Sequence, residues 1–190
     1  MRTALIALTA AVVSATAPSP CTAAEPAKPP TIVCAPDAPN LATYLRMHQV
    51  LFMERDGSRV EEFYAPEVIS HNLDSGGSGA RRVKSSALAA MWTASRRNDP
   101  ERVLADELIL CSGDYVVVRT TMHGKDTMGV DGWPATGKPY SVTATDIYRF
   151  ENGRVVERWG NADLISLFRQ AGYTLVPADK APPAPGKRAP

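Results

Sequence analysis

The stretch Thr145–Asp163, TDIYRFENGRVVERWGNAD, decides the fold. Two runs rich in β-branched and aromatic residues flank Asn152-Gly153, a pair suited to a two-residue hairpin turn because both positions tolerate positive φ. Such a turn pairs Glu151 with Arg154. Uninterrupted pairing then sets Phe150 opposite Val155, Tyr148 opposite Glu157, Asp146 opposite Trp159 and Ala144 opposite Asn161. Opposed residues share a face of the sheet. One face is therefore expected to carry Val142, Ala144, Asp146, Tyr148, Phe150, Val155, Glu157, Trp159 and Asn161. The other carries Thr143, Thr145, Ile147, Arg149, Arg158 and Gly160. A carboxylate on an apolar face costs on the order of a few kcal/mol unless it is paired or protonated. Asp146 is thus either an acid–base group or a structural carboxylate bonded to a backbone amide or a histidine.

Further strands are expected before this hairpin in sequence, over Val103–Cys111 and Tyr115–His123, with a turn at Ser112-Gly113-Asp114. Upstream the period changes to 3.6. Asn40 is placed to cap a helix running to about Arg55, with Tyr44, Met47, His48, Leu51 and Phe52 on one side. Asp56-Gly57 breaks it. A short helix over Arg59–Tyr64 ends at Ala65-Pro66. Val68–Asn72 reads as extended and Asp74–Ala80 as a flexible loop. A third helix spans Val83–Arg97, with Leu88, Met91 and Trp92 inward, and stops at Asn98-Asp99-Pro100. Asp163 is placed to cap a last helix, Leu164–Gln170, closed by Gly172. Helices followed by antiparallel strands predict an α+β fold, with about three N-terminal helices on one face of a curved antiparallel sheet.

The ends have a different composition. Residues 1–24 carry Arg2, an apolar run from Ala4 to Val13 and small residues at Thr22-Ala23-Ala24, the pattern of a secretory signal too short to span a bilayer. Residues 25–39 read as a Pro/Ala-rich linker, 40–175 as the domain and 176–190 as a disordered Pro-rich tail. The mature protein is expected to be periplasmic or secreted, with no stable membrane insertion. A formal charge of +1 gives no reason to expect a nucleic-acid partner. Cys21 leaves with the signal, and in an oxidising compartment Cys34 and Cys111 predict one disulfide, with two unrelated buried thiols as the alternative.

The stretch Met122–Tyr173 resembles the SnoaL-like polyketide cyclases, or ester cyclases, of the NTF2-like superfamily. The resemblance is carried by His123 and Gly129, Thr136-Gly137-Lys138, Asp146-Ile147-Tyr148-Arg149, Gly153, Glu157, Trp159, Asp163 and Arg169-Gln170-Ala171-Gly172. Tyr64–Asn72, YAPEVISHN, is similar to a further family segment. The resemblance covers roughly Leu41–Tyr173. It implies an NTF2-like cone, a curved antiparallel sheet wrapped over the helices and enclosing a pocket, and a homodimer formed through the sheet's outer face. It also implies chemistry without a cofactor: one acidic residue takes a proton from an activated carbon and the pocket stabilises the enolate. The acid of the family's cyclases falls on Gly160, which cannot move a proton.

The remaining acid–base candidates are His71, Asp146, Glu157 and Asp163. A His71–Asp146 pair is expected to act, with the histidine as base and Asp146 orienting it. Phe52, Asn72, Trp92, Glu157, Trp159 and Asn161 are expected to line the pocket for a small apolar molecule. His48 reads as a bonded core residue, His123 as shaping a strand end and Asp163 as a helix cap. Three scattered histidines without HxH or CxxC spacing give no metal site. Two functions stay open: a cofactor-free acid–base enzyme of cyclase, isomerase or dehydratase type, and a non-catalytic ligand-binding module.

Overall fold

Asn152 and Gly153 take φ of 50° and 71°, so the hairpin turns as its sequence requires. It joins β6 (Pro139–Glu151) to β7 (Arg154–Ala162). The structure is a computed structural model that describes residues 28–71, 79–129, 134–174, 176, 177 and 180. The other elements are β1 (Thr31–Val33), α1 (Leu41–Met47), β2 (Tyr64–Ser70), β3 (Arg81–Lys84), α2 (Ser85–Asn98), β4 (Val103–Ser112), β5 (Tyr115–Lys125) and α3 (Leu164–Ala171). Between α1 and β2 lie a π-helical segment, His48–Met53, and a 3₁₀ segment, Gly57–Glu62.

The described residues form one seven-stranded sheet in the order β1-β4-β5-β6-β7-β2-β3. It is curved and does not close on itself. Its inner face meets the helices: Ile109, Val116, Val118, Tyr148, Phe150 and Val155 bury against Tyr44, Met47, Leu51, Phe52 and Trp92. Full burial of such side chains stabilises the fold by roughly 1.5–3 kcal/mol each. The α+β cone expected from the sequence is the fold of the chain.

Several local expectations change. The first helix ends at Met47 and continues as the π segment, and Asn40 makes no side-chain cap bond. The second helix is 3₁₀ and starts two residues early, at Gly57. The third begins at Ser85, because Arg81–Lys84 pairs with β2 as a strand. Met91, expected inward, is 44% exposed. Thr31–Val33, placed in the linker, is a strand parallel to β4, with Ile32 beside Ile109. Three β-branched or threonine residues after Pro29-Pro30 carry too little local pattern to declare an edge strand; its neighbour supplies the order. A Cys34–Cys111 disulfide follows it, linking residues 77 apart in sequence.

The largest difference is one of register. Phe150 pairs with Val155 as expected, but Arg149 pairs with Glu157, so Val156 is an extra residue on β7. This bulge shifts everything beyond it by one. Asp146 lies opposite Gly160, Tyr148 opposite Arg158 and Ile147 opposite Trp159. Because side chains alternate, Arg158 and Gly160 move to the inner face, and Glu157, Trp159 and Asn161 move to the outer one.

Asp163 caps α3 by accepting from Ser166 N–H at 3.0 Å, and Gly172 closes it in the left-handed conformation, φ 91°. β7 ends opposite Ala144. Beyond that point the Gln170 side chain serves β6: its Oε1 accepts from Ser141 N–H at 2.7 Å and its Nε2 donates to Ser141 C=O at 3.0 Å.

Candidate functional site

The inner face of the sheet carries two buried carboxylates. Asp106 comes from β4, where a bulge between Asp106 and Leu108 turns both Asp106 and Ile109 inward. Three groups converge on it. His48 Nδ1 lies 2.5 Å from Oδ2, Tyr44 Oη donates to Oδ2 at 2.8 Å, and Thr120 Oγ1 donates to Oδ1 at 2.9 Å. Burial pushes the Tyr44 phenol far above its ordinary value, and Tyr148 and Asp106 add to the shift, so Tyr44 stays a donor. His48 opens the π-helical segment, a rare geometry that recurs at functional sites. Its side chain retains 14% exposure, and its Nε2 has no hydrogen-bond partner among the described residues.

Asp146 belongs to a second pair on the same face. Arg158 Nε and one terminal nitrogen donate to its Oδ1 at 3.0 and 2.6 Å. Burial alone would lower the Arg158 pKa, but the charge of Asp146, helped by Tyr148 and Tyr64, more than offsets this and raises it. The guanidinium also lies 5.9 Å from the centre of the Tyr148 ring. Burial pushes the Tyr64 phenol up to about 12 and Tyr148 well above its usual value. Tyr44 and Tyr148, with ring centres 5.6 Å apart, join the two carboxylate clusters.

Beside Arg158 lies a cavity of about 20 Å3, lined also by Tyr64, Ser70, Leu88, Met91 and Trp92. That is room for about one water molecule. The Trp92 indole N–H is buried with no partner among the described residues. Trp92 packs edge-on to Phe52 at 4.5 Å, and Phe52 lies 5.7 Å from His48.

On the outer face, His71 Nε2–H donates to Glu157 Oε1, 2.8 Å away, and its ring stacks on Trp159 at 4.7 Å and 7°. Arg149 Nε donates to Glu157 Oε2 at 2.9 Å. The His71 hydrogen bond, then the Arg149 contact, hold the Glu157 carboxyl below its ordinary pKa against desolvation. Tyr115 reaches the same aromatic group, 6.4 Å from Trp159. A continuous cross-strand row runs through it: Val33, Leu110, Val117, Ile147 and Trp159.

The structure therefore does not join His71 to Asp146. Asp146 is inside and bound to Arg158; His71 is outside and bound to Glu157. Of the residues expected to line a pocket around the pair, Phe52 and Trp92 lie in the core, while Glu157, Trp159 and Asn161 stand on the outer face because of the Val156 bulge. Asn72 lies outside the described residues. Asp106, Tyr44, Thr120 and Arg158 are the inner polar groups that the sequence reading missed. For Asp106 the available signal was the Asp106-Glu107 pair inside the otherwise apolar stretch Val103–Leu110. For Arg158 it was the Val155-Val156 doublet, which breaks the period of two. Among the described residues no group of three or more His, Cys, Asp or Glu is placed to hold a metal ion, and no helix is long and apolar enough to cross a membrane.

Comparison with known proteins agrees with this architecture. Wild-type IdmH from Streptomyces antibioticus superposes with a TM-score of 0.59 at 23% identity, covering 70% of this chain and 97% of that one. AclR from Streptomyces galilaeus gives 0.57 at 22% identity, covering 73% and 88%. An NTF2-like protein from Burkholderia pseudomallei gives 0.54 at 23%, covering 70% and 98%. These similarities establish the fold. No curated protein matches the chain significantly. The family model described as SnoaL-like polyketide cyclase matches residues 42–171, which include every inner-face residue described above, and the chain belongs to that family.

Proposed function

We propose that the chain is an exported, cofactor-free acid–base enzyme of cyclase, isomerase or dehydratase type, acting on a small apolar carbonyl compound. One observation carries this reading: His48 Nδ1 is bound to the buried Asp106 while its Nε2 is left without a partner among the described residues. An Nδ1–H donated to a carboxylate leaves the Nε2 lone pair available as a base. In the proposed reaction Nε2 takes a proton from the carbon next to a carbonyl. The C–H electron pair becomes the enolate, and Asp106 stabilises the imidazolium. The enolate either takes the proton back at another position or attacks a second carbonyl of the same molecule, whose alkoxide then takes the proton. Asp146, opposite Gly160, carries a carboxylate one strand away from where the family's cyclases keep their acid.

The test is deuterium exchange. Small alkyl ketones and β-keto esters are incubated in D2O with the protein, and loss of the α-proton signal is followed by proton NMR. The wild type is expected to accelerate exchange and His48→Gln to lose about 10²–10⁴-fold of that rate. Equal exchange by both proteins would remove His48 from the chemistry. No acceleration of any probe would favour the second reading, a non-catalytic small-molecule-binding module. Gly160 and the small size of the Arg158 cavity speak for that reading.

Export to the periplasm or beyond is supported by the signal-like residues 1–24 and by the disulfide. The outer apolar row, with Val33 58% and Leu110 37% exposed, supports a homodimer through the sheet. Val117→Glu, at the centre of that row, is then expected to halve the mass measured by light scattering; an unchanged mass would exclude this face.

A further inference from the structure

Asp146 is matched by a guanidinium, whereas the partners of Asp106 are an imidazole and two hydroxyls. Their arrangement decides which nitrogen of His48 carries the proton. Tyr44 Oη lies 2.8 Å from Asp106 Oδ2 and 3.5 Å from His48 Nδ1, so its proton goes to the nearer, charged acceptor. Nδ1 must then donate its own proton to Oδ2, and Nε2 keeps its lone pair. That outcome needs an ionised carboxylate turned with Oδ2 toward Tyr44 and His48. A neutral carboxyl would instead offer an O–H to Nδ1, and the ring would carry its proton on Nε2, where it is useless as a base.

We propose that Thr120 is a positioning residue for the reaction: its hydroxyl fills Asp106 Oδ1 and thereby fixes His48 as the Nδ1–H tautomer. This rests on His48 as the base. Thr120 stands directly across the β4–β5 ladder from Asp106, and its Oγ1 donates to Oδ1 at 2.9 Å. It is only 5% exposed, so it acts through Asp106 and not on a substrate. Branching at Cβ restricts its rotamers, so the strand itself aims the hydroxyl. Without that hydroxyl, Oδ1 is a buried carboxylate oxygen short of a donor. Protonation of Asp106, or a turn of Oδ1 toward Tyr44, relieves the deficit, and either one frees Nδ1 from its fixed role.

The experiment labels the histidines of the full mature protein with a nitrogen isotope. Proton–nitrogen correlations across the neutral ring read which nitrogen is protonated, and the His48 signals are those lost in His48→Gln. The wild type is expected to be protonated at Nδ1. Thr120→Val should move the tautomer ratio roughly tenfold toward Nε2–H, and Thr120→Ser should restore it. Thr120→Ala removes the same hydroxyl with less bulk and should give the same shift, which covers any misfolding of the valine variant. In the deuterium-exchange assay, kcat of Thr120→Val should fall about tenfold with KM unchanged. A wild-type ring protonated at Nε2, or an unchanged ratio in both Thr120→Val and Thr120→Ala, would overturn the assignment whatever the activity. A shifted ratio in a protein that accelerates no exchange would uphold the hold of Thr120 on the tautomer and count against the enzyme reading alone.

Discussion

Asp146 and Gly160 face each other across the β6–β7 ladder, and Arg158, two residues before Gly160 on the same face, holds Asp146 by two hydrogen bonds at 2.6 and 3.0 Å. The charge that burial would penalise is thereby neutralised inside the cone. Removing one partner leaves the other buried and unpaired. Arg158→Met is expected to lower unfolding stability by about 3–5 kcal/mol, whereas Arg158→Met with Asp146→Leu should recover most of the loss. Urea unfolding of the single and double variants checks this. A double variant no more stable than the single would show that the pair does more than cancel charge.

Gly124 is needed for a close approach rather than for an unusual backbone. A Cβ there would fall 2.5 Å from Tyr140 Oη and 2.8 Å from Asp99 Oδ2. Gly124→Ala should therefore part Tyr140 from Asp99 and cost about 1–3 kcal/mol. Gly113→Ala is a control of a different kind. Its surroundings are empty but its φ is +54°, so it should cost about 1 kcal/mol and leave the Tyr140–Asp99 bond in place. Thermal unfolding of both variants, with Tyr140→Phe in each background, separates the two causes.

Asp126 ties the β5–β6 connection to the end of α3. Burial alone would raise its carboxyl, but bonds from Tyr173, Thr136 and Gly129 lower it below the usual 3.8. A depressed folded-state pKa contributes stability above the unfolded value and loses it as pH falls through the folded one. The stability gap between the wild type and Asp126→Asn should thus be constant above about pH 5 and close as pH drops below about 4. A gap independent of pH down to 2 would exclude the linkage.

Cys34 and Cys111 close a loop of 77 residues in sequence. Such a crosslink stabilises by about 4 kcal/mol through the unfolded chain. Denatured, unreduced mature protein should show no free thiol, and Cys34→Ser with Cys111→Ser should unfold at lower urea by a corresponding amount. Two titratable thiols would show that the bond is not formed.

The fold was legible because its signals are local: Asn152-Gly153 for the hairpin, Gly172 and Asp163 for the ends of α3, and alternation in β4 to β6. The site was only partly legible because facing is a sum of parities. One extra residue, Val156, exchanges the faces of Arg158, Trp159 and Gly160, and a second bulge after Asp106 hides the carboxylate that gathers Tyr44, His48 and Thr120. Neither bulge is dictated by its own few residues. β1 escaped notice for a similar reason, since a three-residue strand borrows its order from β4.

The Gln170 amide acts as a strand one residue long. It takes up both the donor and the acceptor of Ser141 at the point where β7 no longer reaches. A foreign strand arriving at that margin of β6 finds no free ladder group on Ser141 to begin pairing, and α3 stands in its path. Recruitment of further chains by sheet extension is blocked there by a single side chain, at the cost of no additional strand.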